Sequence, residues 1–153
     1  MLWVIIIILG VALDQITKYI VINNIEFGEM IPVIDKFFYL TYHENKGAAW
    51  GILQNGRYFF IALTAIVSAA IAYALYKSTN RLLKFSLSLI LAGAIGNFID
   101  RLIKGSVADF LDFYPVNYHF PTFNAADILV TCGTALLAYY LIFVYQEPKK
   151  KEV

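Results

Sequence analysis

MLWVIIIILGVALDQITKYIVI, residues 1–22, decides how the rest of the chain is read. Thirteen uncharged residues open it; Asp14, Gln15 and Lys18 then interrupt an apolar run that resumes at Tyr19. About 20 mostly apolar residues suffice for a helix to cross the hydrocarbon of a bilayer. An ionised group at that depth costs on the order of several kcal/mol unless it is paired or faces a polar cavity. Asp14 and Lys18 stand four apart, close enough to pair on one helix face. A cleavable signal peptide is the competing reading. No Lys or Arg precedes the apolar run, however, and no small-x-small pattern follows it. The segment reads as a retained spanning helix.

Three further segments of the same kind follow, at about 58–76, 85–103 and 128–145. The composition agrees: of 153 residues, 60% are hydrophobic and only 15% charged, against roughly 25% charged in a soluble domain. Such a chain cannot coat a surface of its own against water. The balance excludes a disordered protein and a basic nucleic-acid binder, and the net charge of +1 points to no polyanionic partner. One cysteine, Cys132, excludes an internal disulfide framework and is expected to pack as a small hydrophobe. The fold class is an all-α integral membrane protein, one membrane-embedded domain over 1–153.

Lys and Arg in short flanks set orientation. Residues 77–84 carry Lys77, Arg81 and Lys84 without an acid, and the tail carries Lys149, Lys150 and Lys151. Both termini are therefore expected in the cytoplasm, and the longer loops, 23–57 and 104–126, outside. This topology brings Asp14 and Lys18, then Asn97, Asp100 and Arg101, then Asn124 and Asp127 to one depth near the outer interface. Within 23–57, the run Phe37-Phe38-Tyr39-Leu40-Thr41-Tyr42 before Asn45-Lys46-Gly47 predicts a small strand or hairpin on the membrane. Residues 51–60 are expected to add an interfacial segment, with Trp50 and Tyr58 at headgroup depth.

The plainest role for Asp14–Lys18 and Asp100–Arg101 is to bond helices together. Asp109 and Asp127 have no basic partner within helical reach. Asn124 is a candidate helix cap with Asp127 as its third residue, which by itself would account for Asp127. Asp112 reads as a solvated loop acid. Two carboxylates in a half-dry site share a proton, so that one can act as base and the other as acid, as in aspartic proteases. Proton-coupled transporters also bury acids, so the pair alone does not select a peptidase over a transporter or a scaffold. His43 and His119 are isolated and fit no zinc pattern, so no metal and no cofactor are expected. Ser106 beside Lys104 reads as chance rather than a Ser/Lys dyad.

Five blocks stand in order along the chain: Asp14-Gln15-Ile16-Thr17-Lys18, Asn45-Lys46-Gly47-Ala48-Ala49-Trp50-Gly51, Gly93 through Arg101, Val107-Ala108-Asp109-Phe110, and Phe123-Asn124-Ala125-Ala126-Asp127. Taken together they resemble the lipoprotein signal peptidases, the type II signal peptidases of bacterial membranes. Trp50, Ala92 and Phe120 depart from the commoner Phe, Gly and Trp.

The resemblance implies an aspartic endopeptidase of the bacterial plasma (inner) membrane. It would cut diacylglyceryl-modified prolipoproteins on the N-terminal side of the lipidated cysteine. Asp109 and Asp127 would be its catalytic pair, and Asp14, Lys18, Asn45, Gly47, Asn97, Asp100, Arg101, Asn124 and Ala126 would line or support the site. It further implies four transmembrane helices, a small extracytoplasmic β-cradle, an interfacial helical arm, and inhibition by globomycin-type peptides. Membrane lipid is the expected surround, and a monomer the expected unit.

Overall fold

The computed structural model describes residues 1–47 and 56–145. Four helices are long and apolar enough to span a membrane: α1 (Leu2–Asn24), α2 (Arg57–Lys77), α3 (Arg81–Ile103) and α4 (Ala125–Tyr139), which runs on through a wider π-type turn at Tyr140–Val144. The four spans predicted from hydropathy are all present, with ends shifted by a few residues. Asn80 explains one shift: its side chain accepts from the N–H groups of Leu82 and Leu83, so α3 begins before the apolar run does.

Contacts fix the helix directions. Gly10 packs against Ala92 and Leu129, and Gln15 reaches the carbonyl of Gly96, so α1 runs parallel to α3 and antiparallel to α4. α2 packs against α3, to which it is joined by the short connection 78–80, and buries none of its residues. Close approach needs small residues where backbones meet. A Cβ on Gly133 of α4 would stand 2.8 Å from the carbonyl oxygen of Ser86 on α3.

Burial is inverted relative to a soluble protein. The largest fully buried side chains are Lys18, Asn124, Thr41, Asp14, Asp100, Asp112, Ser86 and Ser88, while Ile5, Ile8, Leu9, Leu13, Ile16 and Ile66 are exposed. Lipid is as apolar as leucine, so burial of polar groups against one another drives such packing instead. Ser86 and Ser88 bond carbonyls of their own helix, those of Leu83 and Lys84.

A three-stranded antiparallel sheet in the order β1-β2-β3 sits at one end of the bundle, formed by β1 (Met30–Ile34), β2 (Phe38–Asn45) and β3 (Val107–Phe113). The expected strand is present as β2 and forms a hairpin with β1, but the hairpin turns at Lys36, in the left-handed region (φ 60°), and at 46–47 the chain only bends as it leaves β2. The third strand arises from a stretch read only as loop. Its pattern, Val107-Ala108-Asp109-Phe110-Leu111-Asp112-Phe113, lacks apolar alternation because both its faces are covered, and the whole strand is buried or half-buried. Val21, Ile25 and Phe110 form the apolar plug joining sheet to bundle. The interfacial arm expected at 51–60, and Trp50, fall largely outside the described residues; Tyr58 and Phe60 already belong to α2.

Candidate active site

The site begins with Lys18. Its ammonium lies 2.9 Å from Asp14 Oδ2, 2.8 Å from Asp100 Oδ2 and 2.9 Å from Asn97 Oδ1. Asp14 and Asn97 accept hydrogen bonds from it and Asp100 adds an ion pair, so a nearly inaccessible cation is held between two helices. Asp14 uses its other oxygen, Oδ1, to accept from the main-chain N–H of Ala126 at 2.9 Å. That donor is one of the unpaired N–H groups that open every helix, and an anion there also meets the positive end of the helix dipole. Gly96 makes room: a Cβ there would collide with the Asp14 carboxylate. Lys104 reaches Asp100 Oδ1 at 3.4 Å rather than Ser106.

Asp14, Lys18 and Asp100 thus bond α1 to α3, the role read from the sequence. Arg101 takes no part in this contact, because consecutive residues on a helix point about 100° apart. Arg101 turns to the carbonyl of Gly47 (3.2 Å) and lies over the Phe60 ring at 5.0 Å. Arg57 caps the end of α3 through the carbonyls of Arg101 and Leu102.

Three asparagines carry the order of this network to two carboxylates. Lys18 can only donate, so Asn97 turns its oxygen to it and its amide Nδ2 to Asp127 Oδ1, at 2.8 Å. Asn124 caps α4 by accepting from Asp127 N at 3.1 Å, which leaves its Nδ2 for Asp109 Oδ1 at 2.6 Å. Asn45 accepts from Gly47 N at 2.9 Å and aims its Nδ2 at Asp109 Oδ2, at 3.0 Å. Asp127 Oδ2 completes the capping box on Asn124 N at 3.1 Å. The cap and the carboxylate pair, alternatives in the sequence, are one arrangement.

Asp109 arrives on β3 and Asp127 on the first turn of α4, and both line one cleft of about 480 Å³. Asn45, Asn97, Arg101 and Val107 share its wall with Phe120, Pro121, Thr122 and Phe123, and Ile128, Thr131 and Cys132 continue it along α4. Burial, and next the charge of Asp127, push the Asp109 carboxyl up to about 7, against the donors from Asn45 and Asn124. Neither Asp109 nor Asp127 has an ion-pair partner among the described residues. A buried acid that titrates near neutrality beside a second carboxylate, in a cleft lined by apolar walls, has the properties of a general acid–base pair. Among the described residues no cluster of three or more His, Cys, Asp or Glu could hold a metal ion.

All eleven site residues named from the sequence fall in this network or its support: Ala126 is fully buried and donates to Asp14, and Gly47 receives Arg101. Two expectations are corrected. Asp112 is not a solvated acid: it is 2% exposed, with His119 Nε2 at 2.8 Å. Cys132 does not pack inside the bundle; it is exposed and lines the cleft, since the neighbouring Gly133 is the residue that faces α3. The wall residues Pro121, Thr122 and Thr131 carry no chemical signal in the sequence and become visible only through the fold.

Comparison with known proteins follows the same lines. A family model described as Signal peptidase (SPase) II matches residues 6–143. The lipoprotein signal peptidase of Brevibacillus brevis is 49% identical over 142 residues, covering 92% of both chains. That of Bacillus subtilis is 44% identical over 154 residues, covering 99% of this chain and all of that one, at 100%. A bacterial membrane enzyme solved by the in meso method at 2.3 Å resolution superposes with a TM-score of 0.88 at 40% identity, covering 99% of this chain and 93% of that one. A second, at 1.9 Å resolution, gives 0.85 at 39% identity, covering 94% of each.

Proposed function

Because the chain belongs to the signal peptidase II family, we propose that it is a membrane aspartic endopeptidase removing signal peptides from diacylglyceryl-cysteine prolipoproteins. The scissile bond is the one on the N-terminal side of the lipidated cysteine. The observation that carries this reading is the placement of Asp109 and Asp127 on one cleft, each held by amide donors and neither ion-paired to a cation among the described residues.

A water between the two carboxyl groups gives its proton to the ionised one and attacks the peptide carbonyl. The protonated one donates to the carbonyl oxygen as charge develops there. In the second step one hydroxyl of the tetrahedral gem-diol gives its proton to the ionised carboxylate as the carbonyl re-forms, while the carboxyl proton passes to the departing amine as the C–N bond breaks, so the pair again holds one shared proton. The orienting donors of Asn45, Asn97 and Asn124 hold both groups without supplying a formal charge. Arg101, on the same cleft, is placed to meet the substrate backbone.

The Lys and Arg surplus of residues 77–84 and of the tail supports cytoplasmic N- and C-termini, and so a site near the extracytoplasmic face. A diacylglyceryl group anchored in the outer leaflet brings its cysteine to that depth. Globomycin-type peptides, as inhibitors, would occupy the same cleft, and one copy of the chain supplies every group used. The test is cleavage of a purified lipidated precursor by Asp109→Asn and Asp127→Asn. Loss of at least a hundredfold in kcat is expected for each, and near-normal cleavage by either folded variant would sink the pair.

A further inference from the structure

Asp112 is a buried carboxylate that the proposed chemistry does not use. It stands on β3 three residues beyond Asp109, opposite Tyr39 of β2, and is 2% exposed. Among the described residues its one ion-pair partner is His119, whose Nε2 lies 2.8 Å from Oδ1 while the histidine itself is largely exposed. A carboxylate accepts, so Nε2 is the nitrogen that bears the proton. The imidazole also stacks on Tyr114, centroids 4.7 Å apart and planes 13° apart. The Tyr114 phenol is pushed above its ordinary range by burial and then by Asp112.

These contacts close a loop. The chain leaves β3 at Phe113, turns through Pro115–Asn117, and returns at Phe120, whose N–H donates to the Phe113 carbonyl at 2.9 Å. Within the turn, Val116 holds φ at 48°, a left-handed conformation that a β-branched residue adopts only when its surroundings impose it. Immediately after His119 come Phe120, Pro121, Thr122 and Phe123, which form one wall of the cleft. The Phe123 ring stacks on Phe113 at 5.7 Å.

We propose that the Asp112–His119 contact is a clasp that positions the Phe120–Phe123 wall for substrate, making His119 a positioning residue for affinity rather than for the chemical step. The proposal rests on the peptidase reading for its kinetic consequence alone. His119 touches neither Asp109 nor Asp127, so its loss leaves the carboxylate pair and its donors in place.

The test uses His119→Phe, which keeps a ring to stack on Tyr114 and removes the donor to Asp112, beside His119→Gln, which keeps a donor. With a lipidated precursor, His119→Phe raises KM about tenfold with kcat within twofold of the parent, and His119→Gln recovers most of the affinity. In a parallel arm, amide hydrogen exchange at Phe120 and Phe123 quickens at least tenfold in His119→Phe and stays unchanged in β2 and in the four helices. Unchanged exchange at Phe120 and Phe123 overturns the clasp, as does a KM within twofold of the parent, or a fall in kcat at constant KM. If the parent protein does not cleave the precursor, the peptidase reading fails and the exchange arm alone decides the clasp.

Discussion

Asp14, midway along α1, accepts the main-chain N–H of Ala126 in the first turn of α4 at 2.9 Å, across 112 residues of sequence. One carboxylate thus serves two structures. Its other oxygen meets Lys18, and through Lys18 and Asn97 it reaches Asp127. Asp14→Leu, which removes both acceptors, should leave the Ala126 N–H and one side of Lys18 unmet. We expect a loss of about 3 kcal/mol or more, read as a lower melting temperature in detergent, with activity falling at least tenfold.

Lys18→Met should be worse than its volume change suggests. The apolar stem is conserved, but Asp14 is left buried without its cation and Asp100 keeps only the 3.4 Å contact to the half-exposed Lys104, a situation that typically costs about 3–5 kcal/mol. Adding Asp14→Asn and Asp100→Asn removes the uncompensated charge and should restore much of the melting temperature. A triple variant no more stable than Lys18→Met would show that charge is not what destabilises it.

Asn124 performs two tasks that substitution can separate. Serine at 124 can still cap α4 but cannot reach Asp109 with an amide donor. Asn124→Ser should therefore melt close to the parent and lose about a hundredfold in kcat. Asn124→Ala loses the cap as well, costing about 1 kcal/mol more. Equal melting temperatures for the two would remove the capping role.

The carboxyl of Asp109, raised to about 7, fixes the alkaline side of the pH profile. Above that pH the pair loses its shared proton, so kcat/KM should fall with a limb near 7. Stability follows the same sign. The folded value lies above the ordinary value near 3.9, so the protonated form is favoured by folding. The full contribution is present below about pH 4 and declines as pH rises through 7. Asp109→Asn should flatten this slope between pH 5 and 8, which thermal melts across that range will read.

Gly96 faces the Asp14 carboxylate with no space for a methyl group. Gly96→Ala should push α1 from α3 and cost about 1–3 kcal/mol by overpacking, although alanine is the better helix former. A variant as stable and active as the parent would mean that α1 can shift freely.

How far the sequence could be read depended on the kind of signal. The four spans were legible because a bilayer demands a long apolar run and little else can satisfy it. Convergence of Asp14, Lys18, Asn97, Asp100, Asn124 and Asp127 at one level followed from helix direction alone. The individual partners did not: spacing grouped Asp100 with Arg101 on one helix, but only the fold shows that Lys18 takes Asp100 and that Arg101 turns to the Gly47 carbonyl. β3 escaped notice because a strand covered on both faces shows no alternation. Asp112 looked solvated because its partner, His119, comes back to it only through the turn at Val116.

The three amides have a further consequence. Turning Asn97 over would face its NH2 toward an ammonium and its oxygen toward a carboxylate; turning Asn124 or Asn45 would oppose like dipoles in the same way. Lys18 and the N–H groups of Asp127 and Gly47 thereby impose one sense of direction on the whole assembly. The oxygen and the nitrogen of each amide thus have assigned places, and the donors that meet Asp109 and Asp127 are held in one orientation. In the proposed chemistry, the proton shared by the two carboxyl groups moves among partners that are themselves set in one state.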